Sequence, residues 1–131
     1  MGVKVFLHSA IRSHSEAEFL RAAFRTYKET DDGQGIFGRD GDYVRPKQCR
    51  EEELRHVHLR PQDRFLLRKW LKRKNPYHQT SDKHLVYCSG FHHRDTYLLI
   101  AVLEPKAHDD ARNIDLMAKL AEIASEFRLE Y

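Results

Sequence analysis

His84-Leu-Val-Tyr-Cys88 and Thr96-Tyr-Leu-Leu-Ile-Ala-Val-Leu103 decide the fold class of this chain. Both runs are rich in β-branched, aromatic and aliphatic residues, the composition of strands. Ser89–Asp95 between them carries the Ser, Gly and Asp of a turn, so the two runs read as a β-hairpin. The second is apolar almost throughout and reads as a long buried strand. Tyr97–Leu103 is the longest apolar run in the chain, far below the ~18–20 residues of a membrane span.

Outward from this hairpin, Leu54–Arg60 reads as a further strand, with Val57 and Leu59 on one face and His56 and His58 on the other. Val3–Leu7 alternates and reads as a short strand. Ser15-Glu-Ala-Glu18 has the form of a capping box, opening a helix over about 16–29 that carries Leu20, Ala23, Phe24 and Tyr27. Asp31-Asp-Gly-Gln-Gly35 closes it, and Ile36–Asp42 reads as loop. Pro61 suits a first helical turn, followed by a stripe of Phe65, Leu66, Trp70 and Leu71 that Asn75-Pro76 ends. Asn113 caps a last helix, with Ile114, Met117, Leu120, Ala121, Ala124 and Phe127 on one face. Strands following helices imply α+β with an antiparallel sheet, in a single domain over 1–131.

The chain has 131 residues, 33% of them charged, and a net charge of only +3. Residues 61–96 hold 8 Lys/Arg against 3 Asp/Glu, whereas residues 97–131 hold 4 against 7. The basic excess is concentrated in Arg60–His78 (RPQDRFLLRKWLKRKNPYH), interleaved with aromatics, the footprint of a nucleic-acid binder. A solvated helix face is the plain alternative. The N-terminal stretch lacks the apolar run of a secretory signal, and Cys49 and Cys88 are too few for a disulfide scaffold. The expectation is a soluble, cytoplasmic protein with free thiols and no membrane partner.

Gly35-Ile-Phe-Gly-Arg-Asp40, Arg55-His-Val-His-Leu59, His84-Leu-Val-Tyr-Cys-Ser-Gly90 and Leu98-Leu-Ile-Ala101 occur in that order. Pro105, His108, Ala111-Arg112 and a terminal helix ending Glu126-Phe-Arg128 follow. This succession resembles the YafO family of toxins from bacterial type II toxin–antitoxin pairs. The match is strongest over 83–131 and weakest over 61–81. The resemblance implies a RelE-like architecture, a small twisted antiparallel sheet with helices packed on one side. It also implies ribosome-dependent mRNA cleavage, with a cognate antitoxin, rRNA and mRNA as partners.

Metal-free RNA cleavage needs a base for the 2′-hydroxyl, cations for the phosphorane and an acid for the departing 5′-oxygen. Histidine suits both proton roles near neutral pH, and this chain has nine. His56 and His58, two apart on a strand, share a face. They are placed to act as acid and base or as two metal ligands, and the expectation puts them on the open face of the sheet. His108 follows the longest strand in a loop after Pro105. RelE-like toxins tend to carry a catalytic side chain there, so the resemblance makes His108 the equivalent, with Arg112 close behind.

The proton pair is thus His56 with His108, His58 with His108, or another combination. Arg39, beside Asp40 in a Gly-rich loop, is a candidate for phosphate or rRNA, against a structural Arg39–Asp40 pair. Arg64, Arg68, Lys69, Lys72, Arg73 and Lys74 form i,i+4 rows on the helix expected over 61–75, with Phe65, Trp70 and Leu71 inward. They are the RNA-binding candidates. His84 with Cys88 and His92-His93 lacks any established zinc spacing, so no metal and no cofactor are expected. A ribosome-dependent endoribonuclease therefore competes with a non-catalytic RNA- or ribosome-binding module and with a toxin aimed at another target such as DNA gyrase.

Overall fold

The computed structural model describes residues 2–131. Strands β1 (Lys4–Leu7), β2 (Phe37–Asp42), β3 (Arg55–Leu59), β4 (His84–Ser89) and β5 (Thr96–Leu103) form one sheet in the order β1-β5-β4-β3-β2. The expected hairpin is β4–β5, with His84 opposite Leu103 and Ser89 opposite Tyr97. Pairings β2–β3 and β3–β4 are also antiparallel, but β1 runs parallel to β5. The α+β class stands, and the sheet is mixed instead of purely antiparallel. No short turn joins β1 to β5, since α1, α2 and three further strands lie between them in the chain, so β1 is free to run parallel.

Helices α1 (Ser9–Arg12), α2 (Ala17–Thr30), α3 (Lys47–Glu51), α4 (Arg64–Lys72), α5 (Ala107–Asp110) and α6 (Ile114–Glu130) complete the fold. They cover both faces of the sheet, not one. Every residue of β4 is buried, so its alternating side chains enter two cores. Leu85 and Tyr87 meet Leu20, Ala23 and Phe24 of α2 together with Val5, Phe37, Val57 and Leu99. Val86 and Cys88 meet Met117, Leu120, Ala121, Ala124 and Phe127 of α6, with Cys49 of α3 alongside. No helix among the described residues is long and apolar enough to cross a membrane.

Local signals succeeded where a side chain met its own backbone. Asn113 Oδ1 accepts the Leu116 amide at 3.1 Å and caps α6 as expected, although Ile114 at its start is 53% exposed. The Ser15–Glu18 box does not form: Glu16 holds the cap position of α2 without a side-chain cap bond. Instead, His14 Nδ1 accepts the Glu16 amide at 3.1 Å, after the short α1 has redirected the chain. α4 is capped by Asp63, which accepts the Leu66 amide at 2.9 Å, so Pro61 lies outside the helix. Of its expected inward residues only Trp70 is buried, while Phe65 is 65% and Leu71 56% exposed.

The stretch 36–42, expected as loop, contains β2, which carries a register irregularity between Phe37 and Asp40. Its glycines conceal the strand from propensity, yet Gly38 is there for close packing. A Cβ on it would stand 2.5 Å from Trp70 Cη2 and would collide with the Gln79 carbonyl. Asp40 does not pair with Arg39. It accepts from the Tyr87 hydroxyl at 2.6 Å and the Tyr27 hydroxyl at 3.0 Å, with Lys28 Nζ at 3.3 Å.

Arg128 of α6 is buried, and its charge is met by Glu53 at 2.9 Å and Glu52 at 3.4 Å. Side-chain hydrogen bonds from Arg94 and then Arg128 hold the Glu53 carboxyl down to about 2.

Gly38→Ala is expected to destabilise the chain by roughly 1–3 kcal/mol through overpacking against Trp70, read from chemical denaturation midpoints. Glu53 gains stability when ionised, so its contribution is complete above about pH 4.5 and is lost as pH falls towards about 2. Glu53→Gln should therefore flatten the fall of stability in that window, as thermal unfolding across a pH series would show.

Candidate active site

β5 ends at Leu103, and α5 returns the chain past the start of β4. His108 lies in this short helix, not in a loop. Its neighbour Ala107 is fully buried and donates its amide to the Asp82 carbonyl at 3.1 Å. The His108 amide donates to Asp82 Oδ1 at 2.9 Å, and the ring Nδ1 lies 2.6 Å from the same oxygen. These bonds, the amide first, hold the Asp82 carboxyl below its ordinary range. Asp82 is therefore an anion at neutral pH, fixing the imidazole at Nδ1 and leaving Nε2 for chemistry.

His108, His56, His58, Arg39, Tyr77 and Thr80 line one depression of about 430 Å³. It continues on one side along Arg73 and His78, and on the other along Lys69, Trp70, Ser81 and Asp82. The fold thus gathers His56, His58, His108, Arg39, Lys69 and Arg73 of the sequence candidates around a single groove.

The histidines of β3 do not stand on an open face. His58 is 4% exposed and His84, opposite it in register, 2%. His56 stacks on Tyr43 at 4.1 Å between ring centres and on His84 at 4.6 Å. Burial, then the proximity of His58, presses the His56 imidazole down to about 4. Burial likewise takes His58 to about 4. Burial and then the proximity of His56 and His58, which would repel a second proton in the cluster, take His84 to about 3. All three are uncharged at neutral pH and are not proton donors there. The His84 Nδ1 lies 2.8 Å from the Tyr43 hydroxyl, and His58 Nδ1 accepts the Ser81 amide at 2.8 Å.

On the cationic side, the Arg39 guanidinium lies 4.2 Å over the Tyr77 ring and donates to the Tyr77 hydroxyl at 3.0 Å. Arg73 donates to the His78 carbonyl at 3.2 Å, and Lys69 lies 4.6 Å over the exposed Phe65 ring. Arg112 lies apart from the groove-lining residues: its side chain is 81% exposed and 3.5 Å from Asp109. Arg64, Arg68, Lys72 and Lys74 are exposed on or just after α4. The sequence reading missed Asp82, Tyr77, Tyr43 and the role of His84. Asp82 had no local cue, since its partner His108 lies 26 residues away. The others meet their partners across more than twenty residues of chain.

A family model for toxin YafO of type II toxin–antitoxin systems matches residues 25–129. The mRNA interferase toxin YafO of Escherichia coli (strain K12) is 31% identical over 136 aligned positions, covering 98% of this chain and all of the relative. No solved structure matches significantly. The family match spans the groove from Arg39 to His108, and with the full-length relative it shows that this chain belongs to the YafO family of type II toxin–antitoxin toxins.

Proposed function

We propose that this chain is an endoribonuclease that cleaves mRNA on the ribosome in the cytoplasm, and that a cognate antitoxin silences it. The observation that carries this reading is the Asp82–His108 pair at 2.6 Å facing a groove with Arg39 and Arg73. His108 Nε2 takes the proton of the 2′-hydroxyl as that oxygen attacks the adjacent phosphate; the P–O5′ bond breaks to leave a 2′,3′-cyclic phosphate, and the imidazolium returns its proton to the departing 5′-oxygen. Asp82 stabilises the imidazolium that forms, as a carboxylate does in hydrolase triads. Arg39 and Arg73 meet the charge developing on the phosphorane, and arginine suits this by its fixed fork of donors. Tyr77 offers a flat ring on which a base can stack.

In this reading side chains, not a metal-bound water, carry the proton transfers, and rRNA supplies the rest of the surface around the mRNA. His56 and His58 are uncharged and form the groove floor. Arg112, outside the groove, is not the phosphate cation; Arg39 and Arg73 take that part. The surplus cations of α4 face outward, where rRNA phosphates would meet them.

Primer extension on mRNA incubated with ribosomes and purified protein tests the activity. His108→Ala is expected to lower cleavage by roughly 10²–10⁴-fold, the worth of a general acid–base group. Arg39→Ala is expected to cost about 10²–10³-fold, while Arg112→Ala causes no comparable loss. Discrete cleavage ends undiminished in His108→Ala would reject this assignment. Ribosome binding without any cleavage by the wild-type chain would favour the non-catalytic module.

The outward face of α4 is tested separately by co-sedimentation. Arg68→Glu with Lys72→Glu should weaken ribosome binding and lower the slope of log K against log salt by about one for each phosphate no longer neutralised. Wild-type co-sedimentation would leave these residues as a solvated face.

A further inference from the structure

His56 and His58 on β3 and His84 on β4 come together beneath the groove because β3 and β4 pair antiparallel with His58 opposite His84 and His56 opposite Val86. One ring nitrogen from each of the three lies within 4.8 Å of the other two. Two of the rings carry a buried nitrogen with no hydrogen-bond partner among the described residues, Nδ1 of His56 and Nε2 of His84. An orphaned buried polar atom is costly, and two of them within one polar cluster call for a common partner.

In His84 and His58 the other ring nitrogen is held as that of a metal ligand is held. His84 Nδ1 has the Tyr43 hydroxyl at 2.8 Å. Ser81 presents both its amide at 2.8 Å and its carbonyl at 3.0 Å to His58 Nδ1, so either tautomer of that ring finds a partner. A metal-ligating imidazole usually donates its second nitrogen to such a carbonyl or hydroxyl, which fixes the ring. His56 and His58 also line the groove, which supplies an entry path.

We propose that His56, His58 and His84 form a three-imidazole site for a divalent d-block cation of the zinc class on the floor of the groove. Neutral imidazoles are borderline donors that favour zinc and its neighbours over magnesium or calcium. Tetrahedral coordination places ligand nitrogens roughly 3.3 Å apart, so the rings draw inward on binding and the fourth position faces the groove. The site pins β3 against β4 and adds positive charge below Arg39 and His108. It does not depend on the assignment of His108 as proton carrier, because metal binding is read without RNA.

The full chain, freed of metal by a chelator and dialysed, is titrated with Co²⁺, whose visible ligand-field bands report coordination number. One Co²⁺ per chain with the intense bands of four-coordination is expected, displaced by Zn²⁺. His56→Gln, at a half-buried position, is expected to weaken binding by more than the ~10–100-fold that removal of a supporting partner costs, with far-UV dichroism unchanged. His84→Gln should abolish the four-coordinate bands, and where that buried variant fails to fold, His56→Gln decides. Substituting the exposed His92 and His93 by Gln should leave binding intact. Absence of stoichiometric Co²⁺, bands insensitive to His56→Gln, or a signal that disappears only with His92 and His93 would overturn the proposal.

Discussion

Strand β4 is buried on both faces, and the rest of the molecule is arranged around that constraint. A strand with no solvent face must be covered twice, so α2 and α6 take opposite sides of the sheet. Its even and odd positions then have different fates. Leu85 and Tyr87 join the aromatic core around Phe24, where Tyr87 lies 4.8 Å from the Phe24 ring centre. Val86 and Cys88 pack on α6. The first residue of the strand, His84, falls on the α6 side just past the end of that core and becomes the innermost member of a histidine cluster.

That placement sets the character of the groove. Polar rings forced into the edge of a core cannot keep a proton, because burial penalises the charged form and each neighbour repels the next. His56, His58 and His84 are therefore uncharged, with His56 stacked on His84 and His58 tilted against it. His108 sits on α5, outside the sheet, with 57% of its side chain exposed and Asp82 for a partner. Four histidines within a few ångströms thus divide into a buried set packed ring against ring and an exposed one held by a carboxylate.

Asp82 is the joint between these two sets. Its carbonyl takes the Ala107 amide and its carboxylate the His108 amide, while the preceding Ser81 holds His58. The segment entering β4 consequently positions both the floor and the wall of the groove. On the opposite wall, Gly38 lets Trp70 and Gln79 approach β2 closely, which brings Tyr77 to Arg39. The outer cations of α4 take no part in this arrangement and stand exposed along the helix.

Apolar periodicity in the sequence determined the β4–β5 hairpin, β3, α2 and α6, and the Asn113 side chain bonding its own backbone marked where α6 starts. The ordered short matches also placed the chain in its family and singled out His56, His58 and His108. Tertiary structure alone decided the rest. The parallel docking of β1, the strand character of the glycine-rich β2 and the burial of the histidine face depend on which surfaces meet, and a pattern along the chain does not encode the partner of a face. The pairing of Asp82 with His108, 26 residues apart, and the gathering of His84 with His56 and His58 follow from strand register. Register is set by packing across the whole sheet, so no local reading of residues 56, 82, 84 or 108 contains it.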